Sequence, residues 1–100
     1  MVEEKIKYSK EELKKFCIRN HIKKLSFFGS VLTDKFTDDS DVDLLIEFIP
    51  GKIPGLFRLA EMEIELSDMI GRKVDLRTIE DLSKYFRNDV IAKARIEYVR

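Results

Sequence analysis

Phe28-Gly29-Ser30, followed by Asp41-Val42-Asp43 and the apolar run Leu44-Leu45-Ile46, decides how this chain folds. Gly29 and Ser30 close one predicted strand, and the two aspartates open the next. Residues two apart in a strand point to the same side. Asp41 and Asp43 therefore project together, while Val42, Leu44, Ile46 and Phe48 form the opposite, buried row. Two carboxylates side by side repel each other unless a cation lies between them. A hard divalent ion such as magnesium takes a few carboxylates together with phosphate oxygens. The Gly-Ser turn upstream is a place for those phosphates, so the pattern points to metal-dependent chemistry on a nucleotide.

Working outward, Lys24 to Phe28 has apolar residues on both faces and reads as a central strand. Ser30 is expected to cap a short helical turn through Val31 to Lys35, a junction that aims free backbone N–H groups at whatever sits above it. The second strand runs from about Val42 to Ile49 and stops at Pro50-Gly51. Upstream, Ser9 and Glu12 form a capping-box pattern, with Tyr8 and Leu13 placed as its hydrophobic staple. The helix they begin presents Leu13, Phe16 and Cys17 inward and ends at Asn20-His21.

Downstream, Ile53-Pro54-Gly55 leads into a helix to Ile70, with Leu59, Met62, Leu66 and Met69 as its apolar stripe and Gly71 as its stop. The methionines are packing residues, not a ligand set. Val74 to Arg77 is a short strand with Asp75 on the face opposite Val74 and Leu76, and Thr78 caps a turn through Asp81. A last helix is expected from Ser83, with Phe86, Val90 and Ala94 in line and Ile91 and Tyr98 beside them. The order helix, strand, short helix, strand, helix, strand, helix gives an α+β layered fold, a small mixed sheet flanked by helices, in one domain over residues 1–100.

Composition narrows the function classes. Nineteen basic residues balance nineteen acidic ones, which argues against a nucleic-acid partner that needs a basic surface. Cys17 is the only cysteine and fits a small core residue in a reducing cytosol. No apolar run approaches the ~20 residues of a membrane span, and Glu3, Glu4 and Lys5 do not make a secretory signal. The expectation is a cytoplasmic protein without a membrane partner. His21, the only histidine, has no second imidazole to join it and is assigned to the helix end.

The aspartates admit two rival accounts. Asp39, Asp41 and Asp43 alternate like the first ligands of an EF-hand, but Leu44 stands at the glycine position and Pro50 at the bidentate glutamate position. That account fails. The bland alternative is chance polar alternation on a strand with one wet face. Three additions weigh against it: Gly-Ser at the preceding strand end, ten intervening residues, and a third carboxylate, Asp75, on a later strand.

With Phe28-Gly29-Ser30, Asp39-Ser40-Asp41-Val42-Asp43-Leu44-Leu45 and Val74-Asp75-Leu76 in place, the chain resembles the minimal nucleotidyltransferases of the DNA polymerase beta superfamily. The stretches Gly71 to Thr78 and Asp81 to Phe86 are similar to the MntA-type antitoxins of HEPN/MNT toxin–antitoxin pairs. The resemblance implies the polymerase-beta-like palm fold. Asp41, Asp43 and Asp75 would be catalytic metal ligands, and Gly29 and Ser30 would bind the nucleotide triphosphate. It further implies two magnesium ions, with manganese as a substitute, and ATP or another nucleoside triphosphate as donor. The acceptor implied is a tyrosine hydroxyl of a HEPN-type toxin, neutralised by AMP transfer. Many relatives follow Gly-Ser with Arg-Ala-x-Gly, whereas Val31-Leu32-Thr33-Asp34 stands here, so one phosphate or acceptor contact is missing. The chain is not the toxin itself: Arg19 lies only two residues before His21, too close for an Arg-x4-6-His motif. Two alternatives remain open, an antitoxin that acts by binding alone and a transferase with a small-molecule acceptor.

Overall fold

Alternation in the second predicted strand sets the architecture. A computed structural model describes residues 2–100. The elements are α1 (Val2–Lys5), α2 (Lys10–Arg19), β1 (Ile22–Phe28), β2 (Val42–Phe48), α3 (Leu56–Ile70), β3 (Val74–Arg77), α4 (Arg87–Lys93) and β4 (Arg95–Val99), with single 3-10 turns at Gly29–Leu32 and Ile79–Asp81. The four strands form one mixed sheet in the order β3-β2-β1-β4. β1 pairs antiparallel with β2 and β4, whereas β2 and β3 run parallel. The α+β class with a small mixed sheet is therefore what the chain adopts, and β1 is an internal strand as its two apolar faces require.

Val42, Leu44 and Ile46 of β2 point to one face of the sheet with Leu25 and Phe27 of β1. α2 contributes Leu13, Phe16 and Cys17 to this core, and α3 contributes Met62, Leu66 and Ile70. Burying one such side chain contributes about 1.5–3 kcal/mol. Half of the expected capping box of α2 forms: Ser9 Oγ accepts from the Glu12 N–H at 3.1 Å, while the Glu12 carboxylate lies 3.9 Å from Lys15. α3 ends at Gly71, whose φ of 73° is the left-handed stop expected of glycine. The turn after β3 closes as expected, with the Thr78 N–H and hydroxyl both donating to Asp81.

α3 also seals an edge of the sheet. The N–H groups of Val74 and Leu76 donate to Ser67 Oγ at 3.0 Å and Glu63 Oε2 at 2.8 Å. These bonds satisfy the outer side of β3, an edge otherwise free to pair with another chain. They also fix the strand on either side of Asp75.

The C-terminal segment differs from expectation. The last helix does not continue through Ala94 to Tyr98. α4 has seven residues, Ala94 turns to extended backbone, and Arg95–Val99 is β4, paired with β1. Ile96, Tyr98 and Val99 are β-branched or aromatic residues suited to a strand, and β1 offers them an otherwise unpaired edge. A register shift between Leu25 and Ser26 lets Tyr98 face the core while Ile96 lies opposite Ser26. Because β3 and β4 are the two sheet edges, the chain between them must cross the sheet. Ser26 and Leu45, on the face opposite α2 and α3, are correspondingly buried. Among the described residues, no helix is long and apolar enough to cross a membrane.

Candidate active site

The sheet register places the acidic residues. Asp43 is the partner of Phe28 on β1 and of Asp75 on β3. Phe28, Asp43 and Asp75 thus form one row across three strands, on the face opposite the helical core. Asp41 lies just before β2 and two residues from Asp43, with the pleat directing it to that same face. The expected grouping of the three carboxylates along one sheet end is what the topology produces.

Gly29 follows β1 directly and has a φ of 75°. A Cβ on it would collide with Asp43 Oδ2 and stand 3.2 Å from Asp43 Cγ. Glycine is needed here twice over, for the left-handed backbone and for the close approach of a carboxylate. Ser30 does not cap a helix. The turn is a single 3-10 turn whose N-cap position is Phe28, and Ser30 lies inside it. The Ser30 carbonyl accepts from the Thr33 N–H and hydroxyl, both at 2.9 Å. Its own hydroxyl has no hydrogen-bond partner among the described residues, which leaves it available.

Electrostatics single out Asp43. Burial pushes its carboxyl above the ordinary carboxylate range, the charges of Asp75 and Asp41 push the same way, and Arg77 opposes them. Asp75 is held by Arg77 through two contacts, Nε to Oδ1 and Nη2 to Oδ2, each 3.1 Å. Lys73 Nζ stands 3.9 Å from Asp41 Oδ2. With the outer two turned toward these cations, no three carboxylates among the described residues close on one point as a finished metal cage. The donor chemistry nonetheless fits a hard divalent cation. All candidate ligands are carboxylate oxygens, they share one face, and their mutual repulsion is what a cation relieves.

Two residues that sequence reasoning missed shape the site. Arg72 donates to the carbonyls of Thr37 at 2.7 Å and Ser40 at 2.6 Å, and its guanidinium lies 4.5 Å from the centre of the Phe36 ring. It thereby anchors the acidic loop just ahead of Asp41. Lys5 donates to the carbonyls of Val31 at 2.9 Å and Thr33 at 2.7 Å, pinning the turn after Gly29. Both act on backbone oxygens far away in sequence, for which no local pattern exists.

A Gly-Ser turn ending one strand beside aspartates paired across the next two is the framework of a nucleotidyl-transferring enzyme. The chain belongs to the nucleotidyltransferase domain family, whose model it matches over residues 10–98. A Methanocaldococcus jannaschii protein, named as a candidate protein adenylyltransferase, is 29% identical over 77 residues, covering 77% of this chain and 81% of that protein. The protein adenylyltransferase MntA of Thermococcus cleftensis is 36% identical over 67 residues, 67% of this chain and 63% of that one. The fold is shared with the solved complex of a tri-AMPylated Shewanella oneidensis HEPN toxin and its MNT antitoxin. There the TM-score is 0.65 at 15% identity, over 91% of this chain and 70% of that one.

Proposed function

We propose that this enzyme is an antitoxin that transfers AMP from ATP to a tyrosine hydroxyl of a HEPN-type toxin in the cytoplasm and neutralises it. The observation that carries the proposal is the row formed by Asp43 and Asp75, with Gly29 pressed against Asp43. A protein acceptor of the HEPN class is supported by the name of the Thermococcus relative, a protein adenylyltransferase, and by the AMPylated toxin of the Shewanella complex. Asp41, Asp43 and Asp75 would hold magnesium, two ions in the working complex, with manganese able to substitute. When bound, the metal supplies charge neutralisation for the triphosphate and a lowered pKa for the attacking hydroxyl.

The chain's own residues do the rest. The Ser30 hydroxyl and the backbone at Gly29 and Ser30 hold the triphosphate. Asp75 takes the tyrosine proton as the phenolic oxygen attacks the α-phosphorus. The new P–O bond forms as the bond to pyrophosphate breaks, and pyrophosphate leaves. Such a transfer asks the protein mainly for positioning and charge stabilisation. Arg77, two residues beyond Asp75 on the same face, is a cation already in contact with the acidic row and would supply the charge that the arginine after Gly-Ser supplies in relatives.

One observation favours a second account. The Arg77 guanidinium already neutralises Asp75 through two contacts, an arrangement that also serves a protein acting by binding alone. Chelation separates the two. Transfer should vanish with EDTA and in Asp41→Ala or Asp43→Ala while the fold persists, since removing one of several crowded carboxylates relieves repulsion. Undiminished transfer by either variant would sink the metal assignment as proposed.

A further inference from the structure

The phenols of the three tyrosines stand in unlike settings. Tyr8 donates its hydroxyl to Glu97 Oε1 at 2.6 Å, and burial together with that carboxylate pushes the phenol above its ordinary range. Tyr98 packs against the core from β4. Tyr85 is 93% exposed. It lies in the turn leading into α4, on the connection that crosses the sheet from β3 to β4. The turn is held from within. The Tyr85 N–H donates to Ser83 Oγ at 3.3 Å, and the Phe86 and Arg87 N–H groups donate to the Ser83 carbonyl at 3.1 and 2.9 Å. Arg87 Nη2 closes the turn on the Leu82 carbonyl at 3.0 Å. A phenol on such a mount is presented to solvent and to other molecules, not to its own chain.

We propose that Tyr85 is itself an acceptor: one copy of this protein transfers AMP to the Tyr85 hydroxyl of a second copy. This rests on the transfer to a tyrosine hydroxyl proposed above and adds a second acceptor for the same site. The Tyr85 oxygen attacks the α-phosphorus of ATP held by the other copy, and its proton passes to that copy's Asp75. The bond to pyrophosphate breaks, and pyrophosphate leaves with the electron pair. Charge favours a second copy as the partner. Asp34, Asp38 and Asp39, on the loop that leads into Asp41, are exposed and pair with no cation among the described residues. Lys84, next to Tyr85, is exposed and equally unpaired among those residues. An incoming Tyr85 turn therefore sets a free ammonium against free carboxylates, and such opposite charges steer association and fix register.

The test is intact-mass spectrometry with peptide mapping of the purified full chain, incubated with ATP and magnesium in the absence of toxin. Wild type should gain AMP on Tyr85, at a rate per chain that rises with protein concentration. Tyr85→Phe should gain none, yet modify a purified HEPN-type toxin as wild type does. An Asp43→Ala chain, unable to transfer, should acquire AMP on Tyr85 when mixed with wild type. Adding Lys84→Glu to that acceptor chain should slow its modification by at least about fivefold, and Asp38→Lys in the transferring copy should restore the rate. A melting curve on each variant checks the fold. A chain that modifies the toxin but not itself overturns the inference and leaves the proposed function standing. So does AMP on another residue in place of Tyr85, or a rate per chain that ignores concentration. An unaltered rate with Lys84→Glu overturns the acidic loop as the docking surface. A chain that modifies neither toxin nor itself removes the proposed function, and this acceptor with it.

Discussion

The carboxylate of Asp43 rests against the α-carbon of Gly29, at a separation that leaves no room for a side chain on residue 29. Two strands that are neighbours in the sheet thereby bring a tight turn and a crowded acid into direct contact. Each explains the other. The turn can take a left-handed residue because it is glycine, and the acid is partly buried because the turn lies on it.

A thermodynamic cycle on this pair should show coupling. Gly29→Ala alone meets a left-handed penalty of roughly 1–2 kcal/mol together with the collision against Asp43. In an Asp43→Ala background only the backbone penalty should remain. Urea unfolding of the two single variants and the double variant gives the interaction term. Strict additivity would show that the contact does not exist in solution.

Asp43 also predicts a pH dependence. Its carboxyl titrates above the ordinary range in the folded state, so the native protein binds more protons than the unfolded chain between the two values. Stability of metal-free protein should therefore fall as pH rises through that window. Asp43→Asn should flatten this part of the curve and be the more stable protein at neutral pH in EDTA. Thermal melts from pH 3 to 7 check it. A variant less stable than wild type across the range would contradict the account.

Glu3 predicts the opposite slope. It makes a two-point ion pair with Arg95 through both terminal guanidinium nitrogens, and this holds its carboxyl down at about 2, against 4.5 for a free glutamate. The contribution is present above 4.5 and is lost as pH falls from there through about 2. Because the pair joins α1 to β4, Glu3→Gln should selectively weaken acid resistance and raise amide exchange in β4. Unchanged exchange there would show that the pair holds nothing in place.

Much of this was legible in the residues. Val74–Arg77 is a strand with the bounds that its sequence implies, because Gly71 and Thr78 punctuate it. The common face of Asp43 and Asp75 follows from alternation once the two strands are neighbours. β4 was hidden because Val90, Ala94 and Tyr98 continue a helical spacing, and only an open edge on β1 selects the strand. Ser30 looked like a cap because serine commonly is one; the turn closes through Thr33 instead. Lys5 and Arg72 could not be found from sequence, since backbone carbonyls leave no residue-type signature.

The most direct test concerns Asp75. Asparagine there keeps the shape and the strand but removes one charge and the proton-accepting capacity that the proposed transfer assigns to Asp75, while a docking surface of many residues is barely altered. The variant should still co-purify with a co-expressed HEPN-type toxin. After incubation with ATP and magnesium, intact mass spectrometry of the toxin should show whole-number AMP additions with wild type and none with Asp75→Asn. Neutralisation of the toxin by both proteins, with no added mass in either, would contradict the transferase account and leave a binding antitoxin.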